Sequence, residues 1–345
     1  MVKQKGFTLI ELMIALALGL VITASAILLF FTGQKGYFLQ RGMADVQDNA
    51  NFGLNQITKD IRLANLNVDQ AVINDRTSYG GVVLTSSINA DKDNSTPAIP
   101  LSNLFRTITG NSANANLLSR SALHDSNVEC ALDSEGCDLG DDLMSDQLVI
   151  QYRPQYIEVD GEWFGGFDCE GNPIQFAITL PKRIIVQRYF LRIDTNASAD
   201  EPNQTLALAC DAGWYAEPHV NASGTRVNPT AVTGFGGDGE IIMKRVDHFR
   251  VLLGIENNSR YQYVPVDEYM ALAAPKPRIL SLQIGALVRS AQTVGRDNLI
   301  RDDQQFRVLD QTVSVTVPTN TNARYVRQVV SQTVALRNTF GGRGQ

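Results

Sequence analysis

Lys3-Gln4-Lys5-Gly6-Phe7-Thr8-Leu9-Ile10-Glu11-Leu12 opens an apolar stretch that runs to Phe31. Between Phe7 and Phe31 the polar residues are Thr8, Glu11, Thr23 and Ser25, and Glu11 alone can carry a charge. About 20 apolar residues at roughly 1.5 Å each cross a bilayer core, so the segment is long enough to span a membrane. A carboxylate there is costly, and such groups usually face a partner. Glu11 lies only one turn inside the run, so snorkelling to the headgroup layer is the competing reading.

Composition narrows the class of protein. The chain has 345 residues, 19% charged and 44% hydrophobic, which is ordinary globular usage. A net charge of −6 disfavours a broad phosphate-binding surface and hence direct nucleic-acid binding. Ala24-Ser25-Ala26 fits the small-residue site of an ordinary secretory signal, which would discard the helix. Glu11 within that would-be core, and the length of the core, argue against it. Lys3 and Lys5 before the segment balance Lys35 and Arg41 after it, so flanking charge leaves orientation nearly tied.

Beyond Phe31 the helical pattern changes face. Met43, Val46, Ala50, Leu54, Ile57, Ile61 and Ala64 recur at spacings of three and four, with charged and amide residues between them. The first proline is Pro97, so the spacing predicts one helix over 7–66, on the order of 90 Å long. Gly33, Gly36, Gly42 and Gly53 are expected to loosen or bend it. From 67 to 147 periodicity is poor and turn formers crowd the chain, which predicts loops and short strands laid over the helix. Leu148 to Tyr152, Ile184 to Ile193, Phe249 to Ile255, Leu280 to Val288 and Val313 to Val317 read as antiparallel strands. The fold class is therefore α+β: a long N-terminal helix, apolar then amphipathic, packed on a C-terminal antiparallel head over 67–345. Residues 338–345 read as a frayed tail.

No catalytic constellation emerges. His124, His219 and His248 are scattered, without a His-Glu-x-x-His spacing, a nucleophile elbow or a phosphate loop. His248 reads as structural. Asp133, Glu135, Asp138, Asp141, Asp142 and Asp146 offer hard oxygens, but not the ligand order of a calcium loop, and read as solvated loop, as do Asp238 and Glu240. No cofactor and no metal is expected. Cys130, Cys137, Cys169 and Cys210 lack Cys-x-x-Cys spacing and are disulfide candidates in an oxidising compartment. Cys130–Cys137, bracketing one short loop, with Cys169–Cys210 is the expected pairing; the other two connectivities stay open.

Gly6-Phe7-Thr8-Leu9-Ile10-Glu11 resembles the class III signal of type IV pilins and type II secretion pseudopilins. That resemblance implies a leader of residues 1–6, cut after Gly6 by a prepilin peptidase, with N-methylated Phe7 as the first mature residue. It also implies that Glu11 pairs with the amino terminus of a neighbouring subunit in assembly. Asp60-Ile-Arg-Leu-Ala64 is similar to a signature of PilW-type minor pilins; Val246 to Glu256 resembles that family's central strand, and Val329 to Asn338 its closing strand. The resemblance implies a non-catalytic minor pilin that primes a type IV pilus and sits near its tip, supporting twitching motility, adhesion or DNA uptake. The implied partners are other minor pilins, the major pilin, the peptidase and the inner-membrane assembly platform, with a tip adhesin as a further candidate. The helix would lie in the inner membrane with the head in the periplasm before assembly. A J-class pseudopilin of type II secretion and a membrane-anchored adhesin that never polymerises are the alternatives.

Overall fold

The computed structural model describes residues 6, 8–108, 117–121, 139–140, 145–197, 201, 204–257, 259–294, 300, 303–316 and 324–339. Helix α1 runs unbroken over Leu9–Ile61. The main strands that follow are β1 (Leu148–Tyr152), β2 (Ile157–Val159), β3 (Glu162–Phe167), β4 (Pro173–Ala177), β5 (Arg183–Ile193), β6 (Leu206–Ala216) and β7 (Glu240–Lys244). Chain order continues with β8 (Val246–Asn257), β9 (Arg260–Pro265), helix α2 (Val266–Ala271), β10 (Ile279–Arg289), β11 (Asp303–Val308), β12 (Gln311–Thr316) and β13 (Arg327–Ala335).

Two antiparallel sheets form the head, ordered β7-β6-β5-β1 and β9-β8-β10-β13. The alternating apolar residues of β8, Phe249, Val251, Leu253 and Ile255, share one core with Ile284 and Ala286 of β10 and with Leu148, Tyr189 and Leu208 of the first sheet. Into that core α1 sends Val46, Ala50, Ile57 and Ile61. The helix therefore lies across the seam between the sheets, against their edge strands β7 and β13. A three-stranded sheet, β2-β3-β4, closes on the end of the helix, where Ile174 and Phe176 pack with Leu63 and Leu66. Cys169 and Cys210 form a disulfide that ties the β3–β4 turn to β6. Cys130 and Cys137 lie outside the described residues.

Three expectations change. The segment before β1 does not simply overlie the helix. Val83, Leu104, Ile108, Leu117 and Leu118 pack with Val149, Ile184, Val186 and Tyr215, on the face of the first sheet turned away from α1. Both faces of that sheet are thus covered, and every residue of β1 is buried. Asn338 is not frayed: its side-chain amide donates to the carbonyls of Arg62 and Ala64, at 3.2 and 3.0 Å. Carbonyls left open where a helix ends need such partners. Residues 340–345 lie outside the described residues.

The third change concerns glycine. Gly42 and Gly53 do not interrupt α1, and both are buried where it meets the head. A Cβ on Gly53 would stand 2.6 and 2.8 Å from Met243 side-chain atoms and 3.1 Å from the Ile242 carbonyl oxygen. One on Gly42 would meet Val294 and Val326 at 3.1 and 3.3 Å. Nothing lies near Gly33 or Gly36. Between the two contact glycines, Asn49 Nδ2 donates to the Lys244 carbonyl (2.6 Å) and its Oδ1 accepts from the Lys244 amide (3.0 Å). Gly53→Val should lower the unfolding free energy of the detergent-solubilised full chain by about 1–3 kcal/mol, the usual cost of overpacking. Gly36→Ala should leave it unchanged or raise it by up to about 1 kcal/mol, because only helix propensity changes there. Urea unfolding followed by tryptophan emission measures both.

Candidate assembly site

The apolar half of α1 touches nothing in the molecule. Every side chain from Leu9 to Phe38 is exposed, and Gly42 is the first buried residue of the helix. Leaving one Leu, Ile or Phe in water forfeits about 1.5–3 kcal/mol, so a surface of this size requires lipid or other helices around it. The stretch from Leu9 to Phe31 is roughly 35 Å long, which matches a hydrocarbon core of about 30 Å. Its polar side chains are satisfied without water. Thr23 Oγ1 donates to the Gly19 carbonyl (2.9 Å), and Ser25 Oγ to that of Val21 (2.8 Å). Thr32, just past the run, bonds to Leu28 in the same way at 2.9 Å. Bonds of this kind let hydroxyls sit on a helix in a medium that offers no partners.

Glu11 is the one group the helix leaves charged in this span. It lies at the third helical position, with Thr8 as the cap. The Glu11 amide donates to Thr8 Oγ1 (3.3 Å), while Glu11 Oε2 accepts from the Thr8 amide and hydroxyl, both at 3.0 Å. This reciprocal cap satisfies amides that a helix start leaves open. Thr-x-x-Glu before an apolar run is its written signal, which is missed when Glu11 is read for its charge alone. Gly6 is exposed, and Phe7 lies outside the described residues.

Other candidate residues fall elsewhere. His248, on the face of β8 opposite the main core, is wholly buried. Its Nε2–H donates to Gln311 Oε1 (2.9 Å), and Nδ1 lies 3.4 Å from Ser145 Oγ. Burial drives its pKa down to about 4. Asp146, expected in a solvated loop, is instead buried. It accepts from Arg250 (3.1 Å) and from the Val251 amide (2.7 Å), because it enters the edge of the first sheet beside β8. The other five acids of that group lie outside the described residues, as does His124. His219 is half-buried, with Nδ1 3.1 Å from the Glu217 carbonyl.

Two family models match the chain. The prokaryotic N-terminal methylation motif covers residues 1–27, and type IV pilus-assembly protein W covers 220–338. Neither a curated protein nor a solved structure matches. The motif and the free apolar half of α1 together define a membrane-anchored protein of the type IV pilin class. Within that class the second match, which takes in β7 to β13 and ends at Asn338, supports a likeness to the PilW-type minor pilins.

The buried His248 ring gives the head a defined response to acid. Its folded pKa lies below the unfolded value near 6.5, so the unfolded chain takes up the proton first. The stability this contributes is complete above about pH 6.5 and is lost as pH falls towards the folded value of about 4. Between pH 7 and pH 4.5 the wild-type head should lose on the order of 2–3 kcal/mol through this group. His248→Gln should flatten that part of the profile, as read from urea midpoints at the two pH values.

Proposed function

We propose that this protein is a non-catalytic subunit that primes assembly of a type IV pilus and sits near its tip. In this reading the leader, residues 1–6, is removed after Gly6, Phe7 becomes the methylated amino terminus, and residues 67–345 form a periplasmic head. Glu11 meets the amino group of a neighbouring subunit. Other minor pilins and the major pilin are its filament partners; the prepilin peptidase and the inner-membrane platform act on it before extraction.

One observation carries this reading. Glu11 heads a fully exposed apolar helix with only an internal cap to hold its charge. A helix cap contributes about 1 kcal/mol, whereas insertion scales reach about 2.5–3.5 kcal/mol for a carboxylate at the helix centre and fall towards the end where Glu11 lies. The cap holds the charge within its own chain only, and a cation from another molecule offsets the cost of carrying it into an apolar assembly. Such a contact also sets axial register, since a subunit displaced along the axis leaves both charges unpaired. Repeated head-to-tail, it generates an open helical array.

Mass spectrometry of the mature protein should find methyl-Phe7 at the amino terminus; a chain beginning at Ile27 would exclude this function. In sheared pili, Glu11→Ala should be depleted about a hundredfold, the scale of breaking one buried ion pair. The membrane pool should keep its normal level.

A further inference from the structure

Asp60 heads the short motif at the end of α1, and the anchoring function gives it no task. It lies in the head, well beyond the apolar half, with 5% of its surface exposed. Its Oδ2 accepts from the Tyr189 hydroxyl at 2.9 Å, while Oδ1 has no hydrogen-bond partner and no cation pairs with it among the described residues. The idle oxygen is not sealed from solvent, so a donor coming from outside the chain can reach it.

Asp60 lines a cleft of about 660 Å³ between α1, the β3–β4 turn and β7. Asp168, Glu170 and Glu240 also line it, against a single cation, Lys59. Burial holds the Asp60 carboxyl up near 6 and that of Glu170 near 7, the latter helped by the charges of Asp211 and Asp168. The walls are not polar throughout. Phe52 and Phe167 line the same cleft, and both rings are largely exposed, 70% and 63%. The Cys169–Cys210 disulfide fixes the turn that carries Phe167 and Glu170. Among the described residues no group of three potential ligands converges to hold a metal ion.

We propose that this cleft is a docking site for a lysine or arginine side chain presented by a neighbouring pilin-class subunit, an inference that rests on the assembly function above. Charge complementarity selects the occupant: four carboxylates call for a cation, and the open oxygen of Asp60 supplies its innermost acceptor. The aromatic rings select the kind of cation. They accept an alkyl stem and attract the charge at its end, which suits a long basic side chain better than a hydrated ion. Asp60 then acts twice, anchoring the helix to β5 through Tyr189 and receiving the partner from the other side.

The test places p-benzoylphenylalanine at position 167 of the full chain in piliated cells, followed by irradiation and peptide mapping. The expected adduct joins position 167 to another pilin-class subunit within a few residues of a lysine or arginine. In the combined variant Asp60→Asn, Glu170→Gln its yield should fall about tenfold or more, the scale of one charge-assisted contact. Asparagine still accepts from Tyr189, and retention of methyl-Phe7 and of the unfolding midpoint shows that the variant is intact. Glu240→Lys, on an exposed side chain, should cause a similar loss without touching the core. Adducts confined to residues 340–345 of the same chain, or yields indifferent to these charges, would overturn the proposal. If incorporation into pili remains Glu11-dependent while the adduct ignores charge, only the cleft is wrong. If Glu11→Ala enters pili normally and no pilus component crosslinks, the assembly function itself fails.

Discussion

The structure depends on one rod that must satisfy two solvents. Helix α1 has no proline and no break from Leu9 to Ile61, so one continuous hydrogen-bonded helix joins its apolar half to its head-bound half. A hinge between them would let the head adopt any position over the bilayer. A continuous helix instead links the position of Glu11 to the placement of the head. The side chains agree with this division: nothing is buried as far as Phe38, whereas Gly42, Val46, Ala50, Gly53, Ile57 and Ile61 enter the head at spacings of three and four. The two glycines bring the helix backbone close enough for Asn49 to bond with a strand.

Within the head, the unusual feature is how much polarity is enclosed. Because the first sheet is covered on both faces, its amide and hydroxyl residues have no solvent to turn to, and they bond to one another. Tyr215 donates to Gln151 Oε1 at 2.8 Å, and Gln151 Nε2 donates to the carbonyls of Gly80 and Asn103. At the second sheet, Arg289 is fully buried between Glu201 (2.6 Å) and Asp247 (3.1 Å). Asp247 also takes Arg327, and Glu201 also takes Arg245. Buried pairs of this kind add little net stability against an apolar replacement, but breaking one leaves an uncompensated charge. Here they fasten the β5–β6 connection, through Glu201 and Asp194, to Arg245 between β7 and β8 and to Arg289 of β10, and Asp247 of β8 carries the pairing on to Arg327 of β13.

The parts of this plan written at short range were legible in the sequence. The apolar run and the amphipathic spacing from Val46 to Ile61 marked the helix, and alternation at Phe249, Val251, Leu253 and Ile255 marked the central strand. Glu11 stood out because a charge in an apolar stretch has no local reason to exist. The Thr8 cap is just as local, and its three-residue spacing to Glu11 is hidden only by the stronger signal of the charge. What could not be read depends on contacts distant in sequence. Gly53 carries no mark that separates it from Gly36, yet one faces Met243 and the other faces nothing. Asp146 sits in an acidic run that looks solvated, and only the approach of Arg250 shows otherwise. Gln151 and Asn103 suggest exposed positions by type, and their burial comes from a second covering layer with no periodicity of its own, whereas Gln187 is buried on the α1 side beside Tyr189.

Asn49 also matters for what it prevents. A strand at the rim of a sheet offers its amides and carbonyls to any other strand, and a protein crowded against copies of itself runs the risk of unwanted ribbon growth. In this head the β7 rim meets a helix side chain that answers Lys244 as a strand would. The β13 rim lies beside the same helix, and the β1 rim is engaged by backbone bonds from Gly81 and Val83. With those borders occupied, lateral sticking through sheets is closed off on three sides.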